Sequence, residues 1–338
     1  MEVITFYLLK EWDMNDAVSI ERGLPEYGNA SITHNVEFTL HPIMSCNSAS
    51  IRKQASITSS KILKEIELEG TYTPKSNTLL DCNNILRNSC IIAENPTEIV
   101  VSSIADENKD EVSVKAIVQH KKPYAMFECK RVGVEEGNKK GPQTIEKAKQ
   151  GAYVAQKTSS LQKIRDGNGN MQGIIYKDET PIIKPYDELL HTIICKENGK
   201  LLNDFTMSVG IVSNHGNWFT SENQNKELKV LAQSYDWLLF LSDKGLVQFV
   251  NELILSHSPN YKFVKLAFYE SYKEGRKKNA FTKVKMDFNA HKALSSYFKK
   301  NIRTIESWFN VISPCGKDIS SLKEELLILK NKNWRKIL

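Results

Sequence analysis

The stretch that decides the fold is PYAMFECKRV at positions 123–132. Its apolar and aromatic residues predict a strand, and side chains along a strand alternate between its two faces. Glu128 and Lys130 are therefore expected to share one face, while Phe127 and Cys129 point to the opposite, apolar face. Because a lone charge is costly to bury, a Glu–Lys pair on such a strand must be ion-paired or functional.

Regular patterns on both sides of this stretch predict the wider fold. Two strand-like runs precede it, at 98–105 and 111–120, and short polar links join the three runs, which favours an antiparallel meander. The remaining predicted elements are a capped amphipathic helix at 59–69, helices at 143–165 and 227–241, and a strand at 205–214. The order helix, three strands, helix, strand predicts an α/β (α+β) fold with one central mixed sheet.

Length and charge suggest three regions. A chain of 338 residues exceeds the usual size of one compact domain. We predict an N-terminal region of uncertain structure at 1–58, a core at 59–255, and a basic, mostly helical C-terminal region at 256–338. Residues 261–303 hold twelve lysines and arginines against three acids, in a chain whose net charge is +6. This concentration of positive charge favours a polyanionic partner such as nucleic acid.

Several classes of protein are disfavoured. The six cysteines are scattered without a CxxC pair or a Cys/His cluster, which argues against structural zinc and against a disulfide framework. The first residues lack the pattern of a signal peptide, and no apolar run approaches membrane-spanning length. We therefore expect a cytoplasmic protein with no membrane partner.

The Glu128–Lys130 pair suits hydrolysis of a phosphodiester bond. Carboxylates can hold Mg²⁺, which binds phosphate oxygens and makes a bound water more acidic, and a lysine can orient or activate that water. One or two carboxylates are enough, because Mg²⁺ keeps several waters and also binds the substrate phosphate.

A second carboxylate is expected on the preceding strand, where Asp106, Asp110 and Glu111 are the candidates. A tight turn at Lys121–Lys122 would place Glu111 on the face of Glu128, whereas a longer loop or a bulge would favour Asp110. We choose Asp110, because a short aspartate at the start of a strand is a common metal ligand, and keep Glu111 as the alternative acid.

The run Asp110 … Glu128-Cys129-Lys130, on the last two strands of a meander followed by a helix, resembles the PD-(D/E)xK nuclease superfamily. It is most similar in size and setting to type II restriction endonucleases, over roughly residues 60–215, although Lys109 stands where the family has proline. The resemblance implies an αβββαβ core in which Asp110, Glu128 and the Cys129 carbonyl bind Mg²⁺ while Lys130 acts on the water.

The same resemblance implies a sequence-specific endonuclease of a restriction system that acts on double-stranded DNA as a homodimer. A repair or recombination nuclease, and a non-catalytic DNA-binding protein with a structural Glu–Lys pair, are the alternatives. Lys139, Lys140 and Gln143 follow the strand in a loop and the first helical turn. We expect them to contact DNA phosphates, and the free backbone N–H groups at the start of the helix would add to this contact.

Overall fold

The computed structural model describes residues 1–53, 56–108, 110–131, 153–177, 179–196, 199–213, 222, 226–273 and 279–338. The strands are β1 (Val18–Arg22), β2 (Val36–Leu40), β3 (Ile43–Arg52), β4 (Ile57–Thr58), β5 (Thr73–Pro74), β6 (Thr78–Leu80), β7 (Ile85–Arg87), β8 (Cys90–Glu94), β9 (Glu98–Glu107), β10 (Glu111–His120), β11 (Ala125–Arg131), β12 (Gln162–Arg165), β13 (Met171–Lys177), β14 (Thr180–Pro185), β15 (Met207–Ser213), β16 (Trp237–Leu241), β17 (Lys285–Asp287) and β18 (Phe309–Ser313). The helices are α1 (Glu2–Leu9), α2 (Ser59–Glu65), α3 (153–158), α4 (Tyr186–Cys195), α5 (Gly199–Asn203), α6 (Lys226–Ser234), α7 (Asp243–Phe249), α8 (Lys262–Tyr272), α9 (Phe288–Glu306), α10 (Ile319–Lys330) and α11 (Trp334–Ile337). None of the helices described is long and apolar enough to cross a membrane.

A six-stranded sheet in the order β1-β2-β11-β15-β16-β18 forms the centre of the molecule. Strands β11, β15 and β16 are parallel to one another, whereas β2 and β18 run antiparallel to them. Every residue of β15 and β16 is buried, as expected for parallel strands that are covered on both faces. The predicted α+β class with a central mixed sheet is confirmed.

Helix α1 packs against one face of this sheet. It is buried from Ile4 to Leu9, and the ring of Phe6 stacks on that of Phe38 in β2, with the centroids 6.4 Å apart. The same apolar core takes in Phe127 and Cys129 of β11. Packing of the apolar body of α1 therefore holds its first residue, Glu2, close to these two strands.

A long insertion separates β2 from β11 along the chain. It contains the antiparallel sheet β3-β10-β9-β8-β5, and its short strands β4, β6 and β7 join β17 in a four-stranded sheet. The β7–β17 pairing ties the insertion to the C-terminal region. Strands β12, β13 and β14 form a separate three-stranded sheet.

The predicted meander is only partly correct. Strands β9 and β10 pair antiparallel as expected, but β11 does not pair with β10, because the two strands belong to different sheets. The chain changes partner at Tyr124, whose N–H donates to the carbonyl of Leu40 at the end of β2. Pro123, which has no N–H to donate, immediately precedes this change.

Two predicted helices are wrong in their second halves. Of the stretch 143–165, residues 143–152 lie outside the described part, 153–158 are helical, and 162–165 form β12. The DGNGN sequence at 166–170 is a turn between β12 and β13, in which the Asp166 carboxylate accepts from Asn168 and Asn170. Likewise, 227–241 divides into α6 and β16, because the apolar run 237–241 is buried as a strand.

The predicted regions do not coincide with the sheets. The central sheet takes β1 and β2 from residues 1–58, β11, β15 and β16 from 59–255, and β18 from 256–338. Residues 1–58 are therefore part of the core. From residue 59 onwards the described residues do not show the predicted order helix, three strands, helix, strand. Elements of these types occur in that order as α1, β1, β2, β11, α3 and β15, but other elements intervene after β2 and after α3.

Candidate active site on three neighbouring strands

Strand β11 presents Glu128 and Lys130 on one face, as the alternation predicted. On its other face, Phe127 and Cys129 lie in the main core, and the Cys129 thiol contacts the Thr5 hydroxyl of α1 at 3.5 Å. Glu128 is only 3% exposed, whereas 28% of the Lys130 side chain remains accessible. The pair thus combines a buried carboxylate with an ammonium group that solvent or a substrate can reach.

The second carboxylate of the site comes from β2. The antiparallel register pairs Met126 with Thr39 and Phe127 with Phe38, so the next residues in line are Glu128 and Glu37. The Lys130 Nζ lies 3.1 Å from Oε2 of Glu128 and 3.6 Å from Oε1 of Glu37. One lysine therefore faces two carboxylates on adjacent strands.

Two further glutamates and one lysine extend the site. Glu21 belongs to β1, next to β2, and Glu2 opens α1. The Nζ of Lys283 lies 2.8 Å from Glu2 Oε2 and 3.1 Å from Glu21 Oε1, and it contacts Oε2 of Glu37. We call Glu2, Glu21, Glu37 and Glu128 the acidic cluster, which Lys130 and Lys283 contact.

The acids predicted to complete the site lie elsewhere. Asp110 is in the turn between β9 and β10, where its N–H donates to Asn108 and its carbonyl accepts from the Lys53 N–H. Glu111 accepts from the Ser50 hydroxyl on β3, and Asp106 pairs with Ser113 on β10. The choice of Asp110, and of Glu111 as its alternative, is wrong as a partner for Glu128, because both assumed that β10 pairs with β11.

One local signal could have located Glu37. The sequence VEFTL at 36–40 sets an acid between Val36 and Phe38, the same pattern of a carboxylate within an apolar strand that identified Glu128. Glu2, Glu21 and Lys283 have no comparable signal, because their neighbours in sequence do not indicate which strands or helices they will approach.

Burial dominates the electrostatics of Glu128. Desolvation raises the pKa of this carboxyl, and the nearby Lys130 ammonium and then His34 oppose that rise. The Oε2 atom makes the ion pair with Lys130, yet no hydrogen bond of good geometry from a described residue reaches it. A buried carboxylate oxygen with this unused acceptor capacity is suited to bind a cation.

Strand β15, which pairs with β11 on the side away from β2, carries a glycine next to Glu128, and the ring of Tyr235 packs against that glycine. Gly210 of β15 lies opposite Glu128 in the parallel register. A Cβ at this position would come within 2.7 Å of the Tyr235 ring, so a side chain here would displace that ring. The buried Tyr235 lies near enough to Glu128 to be affected by its charge, which adds to the rise that burial causes in the tyrosine pKa.

Two carboxylates of this site, those of Glu37 and Glu128, are placed to bind a divalent cation. Glu37 and Glu128 both face Lys130 and can supply the one or two carboxylates that Mg²⁺ requires. However, no group of three or more His, Cys, Asp or Glu side chains in the described part of the chain is arranged to hold a metal ion. The carbonyl of Cys129 stays a predicted ligand, and Lys139, Lys140 and Gln143 lie outside the described residues.

The four glutamates of the acidic cluster come from elements that lie next to one another in the fold. Its three acid-bearing strands, β1, β2 and β11, are consecutive in the central sheet, and α1 brings the fourth acid. Comparisons of this chain with family models, with curated proteins and with solved structures returned no match.

Proposed function

We propose that this chain is a Mg²⁺-dependent endonuclease that hydrolyses double-stranded DNA, of the type II restriction kind. The observation that carries the proposal is the position of Lys130 Nζ, 3.1 Å from Glu128 and 3.6 Å from Glu37 on adjacent strands of the central sheet. Two carboxylates and a lysine on one face are the groups that metal-assisted phosphodiester hydrolysis requires.

Each residue would have a distinct task. Glu37 and Glu128 would hold the cation, which when bound polarises the phosphate and makes a coordinated water more acidic. Lys130 has three N–H donors, so it can keep its ion pairs and still donate to the attacking water. The water oxygen bonds to phosphorus and gives up one proton to solvent, while the bond to the leaving sugar oxygen breaks and that oxygen takes up one proton from solvent.

The order of the elements supports this proposal. Helix α1, strands β1, β2 and β11, helix α3 and strand β15 occur in this order along the chain, with inserted elements after β2 and after α3. The four strands are also neighbours in that order in the sheet. This is the αβββαβ arrangement that the resemblance to PD-(D/E)xK nucleases implies, with Glu37 in place of the aspartate on the second strand.

The basic C-terminal region supports a DNA partner. Lys262 and Lys265 of α8 and Lys299 and Lys300 of α9 are exposed, so they can neutralise phosphates. Of the aromatic residues interspersed with them, Phe288, Tyr297 and Phe298 are buried in the core, whereas Phe263, Tyr269 and Tyr272 of α8 are exposed. A homodimer on a palindromic site and a cytoplasmic location belong to the same proposal and follow from the restriction-enzyme reading.

Cleavage by purified protein tests the proposal. We expect mixed-sequence plasmid DNA to be cut in the presence of Mg²⁺, and Lys130→Ala to slow cutting by a factor of about 100 or more, the usual cost of removing one positioned hydrogen-bond donor. Lys115→Ala is the matched control, since this lysine is also ion-paired, with Asp16, but lies in the inserted sheet.

The same assay separates the alternatives. Uncut plasmid at every salt concentration, with retained DNA binding, would favour a non-catalytic DNA-binding protein. Cutting of branched DNA alone would favour a repair or recombination nuclease. Equal cleavage rates of the Lys130→Ala and wild-type proteins would show that Lys130 takes no part in the reaction.

A further inference from the structure

Lys283 is a buried lysine at the centre of the acidic cluster. Only 6% of its side chain is exposed, and its single ammonium group contacts Glu2, Glu21 and Glu37. Lysine is rarely buried to this degree unless it is paired, because an ammonium group is strongly hydrated in water. The three carboxylates thus replace the water that the ammonium has lost.

Glu37 links this lysine to the proposed cation site. Its Oε1 lies 3.6 Å from Lys130, while its Oε2 contacts Lys283. A divalent cation held by Glu37 and Glu128 would therefore share a carboxylate with the Lys283 ammonium. Two cations that approach one carboxylate repel each other, and the repulsion is stronger for Lys283, which is 6% exposed, than for Lys130, which is 28% exposed and better screened by water.

The backbone around Lys283 is fixed from the inserted sheet. Asn88, which is buried, donates through Nδ2 to the Lys283 carbonyl at 3.0 Å, and its N–H donates to the Val284 carbonyl at 2.8 Å. Strand β17, which follows, pairs with β7. Because the backbone is held in place, a cation that enters the site must displace the side chain of Lys283 and not the segment that carries it.

We infer that Lys283 is an internal counter-ion that competes with the divalent cation for Glu37, so that metal binding and burial of its ammonium group exclude each other. This regulation rests on the cation site of the proposed function. It leaves the acidic cluster partly neutralised without metal, and it weakens cation binding compared with the same site without the lysine.

Mn²⁺ binding, followed by the electron paramagnetic resonance signal of the free ion, tests this inference without any cleavage. We expect Lys283→Gln to bind Mn²⁺ at least about tenfold more tightly than the wild-type protein. Lys283→Arg should bind like the wild type, because it keeps the charge. The matched control is Lys285→Gln, which removes the same charge two residues away, on β17.

A second measurement does not depend on how a variant folds. In the wild-type protein, Mg²⁺ should release Lys283 to solvent, so an amine-reactive reagent followed by mass spectrometry should label it several-fold faster with Mg²⁺ than with a chelator. Lys285, read in the same digest, serves as the internal reference.

The outcomes separate this inference from the proposed function. The counter-ion inference is wrong if Lys283→Gln binds Mn²⁺ no more tightly than Lys285→Gln does. It is also wrong if saturating Mg²⁺ leaves the labelling rate of Lys283 unchanged. Neither result contradicts the nuclease proposal. Tighter Mn²⁺ binding without any DNA cleavage supports the counter-ion and overturns the nuclease. If no form of the protein binds Mn²⁺, both are wrong.

Discussion

At the scale of single residues, the site depends on which acid faces Glu128. Local sequence predicted the strand that carries Glu128 and Lys130 and the face they share. It could not predict the neighbouring strand, because Glu37 is separated from Glu128 by the whole inserted sheet. The choice of Asp110 failed for this reason: it took the strand that precedes β11 along the chain for its neighbour in the sheet.

Substitutions of Glu37 and Asp110 test directly which of these two acids is the partner of Glu128. Glu37→Gln keeps the shape of the side chain but removes a cation ligand, so we expect the rate of Mg²⁺-dependent cleavage to fall by roughly a factor of 100. Asp110→Asn should leave the rate unchanged, because Asp110 lies in the turn between β9 and β10. Both rates are measured on one plasmid under single-turnover conditions.

Thermal unfolding of the same two variants provides the control. The Glu37→Gln protein must still unfold cooperatively for its rate to be interpreted, since Lys130 and Lys283 each lose part of their ion pairing. A loss of cleavage in Asp110→Asn, with normal rates in Glu37→Gln, would restore the original assignment.

At the scale of elements, the strands were predicted better than the helices. The runs at 98–105, 111–120, 123–132 and 205–214 correspond to β9, β10, β11 and β15. The stretch 227–241 was predicted as one helix, although Asp236 interrupts it and its carboxylate accepts from the N–H and hydroxyl of Ser208 on β15. Helical propensity gave way to a tertiary contact that no local pattern encodes.

Asp236 itself predicts a pH dependence of stability. Burial raises its pKa from 3.8 to about 6, against the opposing effect of Lys163 and the hydrogen bond from Ser208. The folded protein therefore binds a proton more tightly than the unfolded chain. The stabilisation due to this group is complete below about pH 4 and is lost as the pH rises through about 6.

Urea unfolding of the wild type and of Asp236→Asn at pH 4, 5, 6 and 7 measures this effect. We expect the wild-type free energy of unfolding to fall relative to that of the variant as the pH rises, by at most about 3 kcal/mol, the equivalent of the shift in pKa. A constant difference between the two proteins across this range would show that Asp236 does not titrate with a raised pKa.

At the scale of the whole molecule, the candidate site draws on distant parts of the chain. Glu2 comes from the first helix, Glu21 and Glu37 from the first two strands, Glu128 and Lys130 from β11, and Lys283 from the segment before β17. The predicted core began at residue 59 and so excluded three of the four acids. The periodicity of a segment depends on its own residues alone, whereas this site forms only after the segments have packed together.

The basic C-terminal region makes a prediction at the same scale. If Lys262 and Lys265 neutralise DNA phosphates, changing both to Gln should reduce the slope of log binding constant against log salt by about 2, since each phosphate contact contributes about 0.9. Fluorescence anisotropy with a labelled duplex, without divalent cations, measures that slope.

Lysines that already form ion pairs on other surfaces provide the comparison. The double variant Lys75→Gln and Lys184→Gln removes the same charge, but these lysines pair with Glu94 and Glu188. We expect its slope to match that of the wild type. An equal reduction of the slope in both double variants would mean that net charge, and not the basic region, governs the affinity for DNA.

The position of β18 at the edge of the central sheet also bears on the synthesis of the protein. The sheet that holds the acidic cluster cannot be complete until residue 313 has left the ribosome, about 10 to 40 s after Glu128 at ordinary translation rates. A nascent chain thus carries Glu128 and Lys130 long before their sheet can close.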